Sequence, residues 1–94
     1  MEIQWLREYV QLCKTLNYRK AAEQLFITPS TLSKHVILIE KELDAQLLVR
    51  DTRSVSLTES GRLFRDSAVN VLRELDMVSS QLSRGSSVQG ELRI

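Results

Sequence analysis

Apolar side chains recur at helical spacing from the start of the chain. Ile3, Leu6, Val10 and Cys13 lie three or four positions apart, and Trp5, Tyr9, Leu12 and Leu16 widen the stripe, so residues 2–16 predict an amphipathic helix. A polar break at Asn17 and Tyr18 precedes a second, short helix over residues 19–26, whose Ala21, Ala22 and Leu25 form a face small enough for close helix packing. Ile27-Thr28-Pro29-Ser30 then reads as a helix start: Thr28 can cap free N–H groups and Pro29 suits the first helical position. The third helix runs to about Leu43. Its Leu32, Val36, Ile39 and Leu43 share one inward face, while Ser30, Ser33, Lys34 and Lys41 point elsewhere.

The period changes after this. Leu47 to Arg50 and Val55 to Leu57 are short β-prone runs around the polar turn Asp51-Thr52-Arg53-Ser54, which predicts a small hairpin. Thr58 and Glu59 offer a cap and a favourable charge for a fourth helix, and no proline interrupts the chain from there to Arg84, a reach of about 40 Å. Along it Phe64, Ala68, Val71, Leu75, Val78 and Leu82 repeat at alternating intervals of four and three, the spacing of a coiled-coil seam that calls for a partner helix. Gly85-Ser86-Ser87-Val88-Gln89-Gly90 has the composition of a flexible linker, and Glu91-Leu92-Arg93-Ile94 alternates like the beginning of a strand. The fold class predicted is mainly α: a winged helix-turn-helix of three helices and a β-hairpin wing over residues 1–57, a long linker and dimerisation helix over 58–84, and a hinge with the first strand of a further domain over 85–94.

Composition narrows the functions available. Ninety-four residues make one small domain, too small for a large enclosed active site. No run approaches the roughly 18 apolar residues of a membrane span, so no membrane partner is expected. The single cysteine, Cys13, has no internal disulfide partner, and Met1-Glu2 lacks the opening of a signal peptide, which makes the cytoplasm the default compartment. Cys13 reads as a small core residue, and His35, the only histidine, has no second ligand at metal-like spacing, so no metal or cofactor is expected. A phosphate loop, an activated nucleophile and a paired carboxylate set are also missing, which argues against an enzyme.

The net charge is only +1, yet it is unevenly spread. Residues 14–65 carry nine Lys or Arg against six Asp or Glu, a balance of +3, and the remainder sums to −2. The positive charge therefore falls on the proposed helix-turn-helix and wing. There the start of the third helix joins a positive dipole end to Thr28, Ser30, Thr31, Ser33 and Lys34, groups able to bond phosphates or base edges in a major groove. Arg50 and Arg53 are placed on a wing that can reach an adjacent minor groove. The excess is modest, so two copies joined through the long helix are expected to double the phosphate contacts. A protein-docking module built on the same elements is the alternative.

These residues also carry a resemblance. Leu6 and Val10, Ala21-Ala22 with Leu25, Leu32-Ser33-Lys34, Glu40, Glu42-Leu43, Leu47, Arg50 and Leu57-Thr58-Glu59-Ser60-Gly61 form an ordered set that resembles the N-terminal DNA-binding region of LysR-type bacterial transcriptional regulators. The resemblance implies sequence-specific binding of duplex DNA by a homodimer, with tetramers open to the full-length protein. It also implies a further effector-binding domain for a small-molecule inducer, so the chain is expected to be a fragment.

Some positions depart from the family pattern. Pro29 stands where glutamine is usual and can offer apolar contact to a thymine methyl in place of hydrogen bonds. Arg19 replaces a threonine that often caps the second helix, which removes that cap and sets a cation near the expected phosphate backbone. Asp44 replaces a glycine after the third helix, although Asp tolerates the left-handed conformation less readily. Ile37 and Leu38 occupy commonly polar positions. Both thymine contact and packing on a neighbouring helix are open to them, and packing is the expectation.

Overall fold

A computed structural model describes residues 1–51 and 53–89. The order is α1 (Ile3–Thr15), α2 (Tyr18–Leu25), α3 (Pro29–Leu43), β1 (Leu48–Arg50), β2 (Val55–Leu57) and α4 (Glu59–Gln89). The strands form an antiparallel hairpin with Leu48 opposite Leu57, Val49 opposite Ser56 and Arg50 opposite Val55. The expected mainly helical, winged arrangement is therefore present.

Local chemistry explains the boundaries. The Thr28 hydroxyl accepts from the Thr31 N–H at 3.1 Å and Pro29 opens α3, while the Thr58 hydroxyl accepts from the Gly61 N–H at 2.9 Å. The cap of α2 differs from expectation. Asn17, read from the sequence as part of a break, accepts from the Lys20 N–H at 2.9 Å and makes Tyr18 the first helical residue, so α2 keeps a cap without a threonine at position 19. Leu16, Phe26 and Asp44 end their helices in the left-handed region, with φ of 52°, 60° and 53°. A side chain there costs roughly 1–2 kcal/mol. Hydrogen bonds from each cap N–H back to the helix offset part of that cost, as when Asp44 donates to Glu40 and Lys41.

The core forms where the stripes of α1, α2 and α3 meet. Tyr9, Leu12, Ala21, Ala22, Leu32, Val36 and Ile39 are buried together, and Leu47 and Leu48 close it from the wing. Each large aliphatic side chain buried there contributes about 1.5–3 kcal/mol, an upper estimate for an extended unfolded chain. Leu43, expected on the inward face, is exposed, because the helix has by then passed the end of the core. Ile37 was expected to pack on a neighbouring helix and instead is 48% exposed, with Leu38 half-buried beside it. At 100° per residue Val36 and Ile39 take the inner face, which turns Ile37 onto the stripe of Ser30, Lys34 and Lys41.

The long helix divides its apolar stripe. Leu6 of α1 is buried with Ala68 and Leu72, and Val10 and Phe64 pack against them. Phe64 and Ala68, placed by the sequence in the dimer seam, are thus taken up by α1 of the same chain. Leu72 joins them because it lies one turn beyond Ala68 on a straight helix. Val71, Leu75, Val78 and Leu82 remain exposed, at 45%, 38%, 42% and 66%. Beyond Leu72 the helix projects about 25 Å from the core. It also continues through Gly85 to Gln89, where a flexible linker was expected. Once a helix is nucleated each further residue adds a hydrogen bond, which can outweigh the cost of about 1 kcal/mol for one glycine. The expected strand at 91–94 lies outside the described residues.

Candidate nucleic-acid interface

The outward side of α3 is a polar and cationic surface with one large apolar side chain, Ile37, set into it. Ser30, Lys34, Ile37 and Lys41 are exposed along it, and Ser33 is half-buried on the side toward the wing. At its N-terminal end the Thr28 hydroxyl donates to the Thr31 hydroxyl at 2.9 Å and lies 3.2 Å from that of Ser30. Three hydroxyls therefore converge on the positive end of the α3 dipole, where backbone N–H groups can meet an anion. Pro29 is exposed beside them and contributes an apolar ring.

The wing is locked onto α3 by two polar contacts. Glu40, in the last turns of α3, accepts from the backbone N–H groups of Leu47 at 2.8 Å and Leu48 at 3.3 Å. Arg50 of β1 donates to the Ser33 hydroxyl at 3.2 Å, and its guanidinium lies 4.1 Å from the centre of the Tyr18 ring. That cation–π contact contributes about 0.5–1 kcal/mol at an exposed site. Arg50 consequently joins the wing to α2 and α3 and is held at the rim between them. Tyr18 was not a candidate from sequence; an aromatic at a helix start carried no signal without the arginine 32 positions later.

The hairpin turn organises Arg53. The Asp51 carboxylate accepts from the backbone N–H groups of Arg53 and Ser54, both at 2.8 Å, and from the Ser54 hydroxyl at 3.4 Å. These bonds hold the Asp51 carboxyl below the usual carboxylate range. Because that carboxylate is directed to the backbone, neither arginine forms an ion pair with it among the described residues. The Arg53 side chain is exposed at the tip. Arg19 is exposed in the first turn of α2, one residue after Tyr18.

Sequence reasoning also missed what supports α3 from behind. Glu8 of α1 is 3% exposed, and its carboxylate meets His35 Nδ1 at 2.6 Å. The His35 ring stacks on Trp5, with centroids 5.0 Å apart and planes 20° apart. A carboxylate, an imidazole and an indole thereby fix one side of α3 to α1. Cys13 packs against the core as expected, and burial pushes its thiol pKa up, which suits a structural residue. Among the described residues no cluster of potential ligands could hold a metal, and no helix is long and apolar enough to cross a membrane.

Known proteins share this arrangement. Residues 3–62 match the family described as bacterial regulatory helix-turn-helix protein, lysR family. The chain is 35% identical over 94 residues to the HTH-type transcriptional regulator BenM of Acinetobacter baylyi, covering all of this chain and 31% of BenM. It is 34% identical over 84 residues to a probable cat1 operon transcriptional activator of Acinetobacter lwoffii, covering 89% of this chain and 28% of that protein. The chain thus spans about a third of the length of the curated relatives it matches. Among solved structures, the BenM DNA-binding domain in complex with catB site 1 DNA superposes with a TM-score of 0.89 at 34% identity, covering 93% of this chain and 97% of that one. With its family pattern and its fold both matched, the chain belongs to the LysR family of bacterial helix-turn-helix regulatory proteins.

Proposed function

We propose that this chain binds duplex DNA as a homodimer, with α3 of each copy in a major groove and each wing directed at the flanking minor groove. The observation that carries the reading is the exposed side of α3: hydroxyls and Lys34 gathered at its positive end, beside a wing whose arginines are not neutralised by Asp51. Its likeness to the BenM domain described in complex with DNA supports the same reading.

Thr28, Ser30, Thr31, Ser33 and Lys34 supply phosphate and base-edge contacts, Pro29 an apolar contact, and Arg19, Arg50 and Arg53 the flanking backbone and minor-groove contacts. The exposed Val71, Leu75, Val78 and Leu82 pair with the same stripe of a second copy, and two-fold symmetry then favours inverted-repeat sites. The role is recognition in the cytoplasm and not catalysis. A small-molecule inducer belongs to a further effector-binding domain, and tetramers to the full-length regulator.

Salt titration of binding to a duplex tests the reading. About 6–10 phosphate contacts lose roughly 10³–10⁵ in affinity between 50 and 200 mM salt. Affinity that is flat across that range would instead fit an apolar protein-docking surface.

A further inference from the structure

The polar stripe of α3 is interrupted by one large apolar side chain. Ile37 is 48% exposed and follows Lys34 by one turn, with Lys41 a turn further on. Ser30, Ser33 and Leu38 line the same shallow groove. An isoleucine left in water forgoes the gain of burial, so its neighbours decide what covers it. The two lysines make an uncharged protein surface a poor match and a polyanion a good one. Along a major groove the apolar group presented at the base edges is the thymine C5-methyl, because the other edges are hydrogen-bond donors and acceptors.

We propose that Ile37 is a specificity-determining residue that reads a thymine methyl in each half-site; the inference rests on the DNA-binding reading above. Ile37 lies seven residues beyond Ser30, about 10 Å along the helix axis. The thymine is therefore about three base pairs along the groove from the bases met by the N-terminal end of α3, at a stacking rise of 3.4 Å. A methyl buried against Ile37 is worth about fourfold in affinity per half-site.

The test uses a duplex selected by this chain from a random pool, in which each thymine is replaced in turn by deoxyuridine, so that only the methyl is removed. The wild-type chain should lose about fourfold at one thymine per half-site. Ile37→Ala should bind the thymine and deoxyuridine duplexes equally at that position, while Ile37→Val should keep part of the preference. Ile37 lies outside the core, so circular dichroism of both variants should match the wild type. Selective binding that is indifferent to every deoxyuridine would overturn the role of Ile37 and leave the DNA-binding reading intact. A preference that persists undiminished in Ile37→Ala would assign the methyl to another residue and also overturn it. Failure to select any duplex would count against the DNA-binding reading itself and remove the inference with it.

Discussion

Replacing Gly61 by alanine should weaken the fold, although glycine to alanine within a helix ordinarily stabilises by up to about 1 kcal/mol. Gly61 is in the first turn of α4, where the helix presses against the loop that leads into the wing. A Cβ there would fall inside contact distance of the Leu47 carbonyl oxygen, 3.0 Å from the Leu47 carbonyl carbon and 3.2 Å from Leu57 Cδ2. The carbonyl cannot yield freely, since Leu47 is buried and its oxygen accepts from the Thr58 N–H at 3.0 Å. The helix must retreat, which strains the bond from the buried Tyr9 hydroxyl to the Gly61 carbonyl at 2.8 Å. Overpacking costs about 1–3 kcal/mol, and a buried hydroxyl without its partner costs about 1–3 kcal/mol more. After the propensity gain a net loss of about 1–5 kcal/mol remains, at about 4–8 °C of melting temperature per kcal/mol for a domain of this size. Urea unfolding followed by circular dichroism, at equal protein concentration for wild type and variant, measures it. A Gly61→Ala chain as stable as the wild type would mean that α4 is not held at this point, and the reasoning would fail.

Other consequences follow from the same geometry. Exchanging Val71 and Leu75 together for glutamate should abolish dimers and weaken DNA binding in parallel; a double variant that light scattering still finds dimeric would remove the seam from α4. Glu8→Ala strips His35 of its buried partner and should cost about 2–3 kcal/mol, whereas Glu8→Gln, which retains the shape and an acceptor, should lose clearly less. A Glu8→Ala chain that unfolds at the same urea concentration as the wild type would show that the contact with His35 contributes nothing. Hydrogen bonds to the ionised Asp51 stabilise the turn at pH values above the ordinary carboxylate pKa of about 3.9, and that support is lost as pH falls through the lower folded value. The amide signals of Arg53 and Ser54 should therefore titrate together with a midpoint below about 3.9. A midpoint at or above that value would contradict the assigned bonds.

Most of the fold follows from local signals. Thr28, Pro29 and Thr58 mark helix starts through groups that act within three residues, and Leu32, Val36 and Ile39 mark an inner face by spacing alone. The cap at Asn17 was legible by the same rule, but grouping it with Tyr18 as a break concealed it. What stayed hidden depends on distant partners. Glu8 looks like a solvated residue until His35, 27 positions later, is brought against it. Tyr18 gains a role from Arg50, and Gly61 from the Leu47 carbonyl. The seam of α4 was read as one stripe because a repeat of four and three does not reveal which end its own chain covers. With Ala68 and Leu72 packed on Leu6, the members of that repeat left exposed are Val71, Leu75, Val78 and Leu82.

Selection of this chain against a pool of random duplex DNA at moderate salt, followed by sequencing of the survivors, tests the central claim most directly. Dimeric reading through α3 requires enrichment of an interrupted inverted repeat, with half-site centres separated by whole turns of about 10–10.5 base pairs. A pool that stays random, or that converges on an unrepeated site, would contradict a symmetric pair of recognition helices joined through α4.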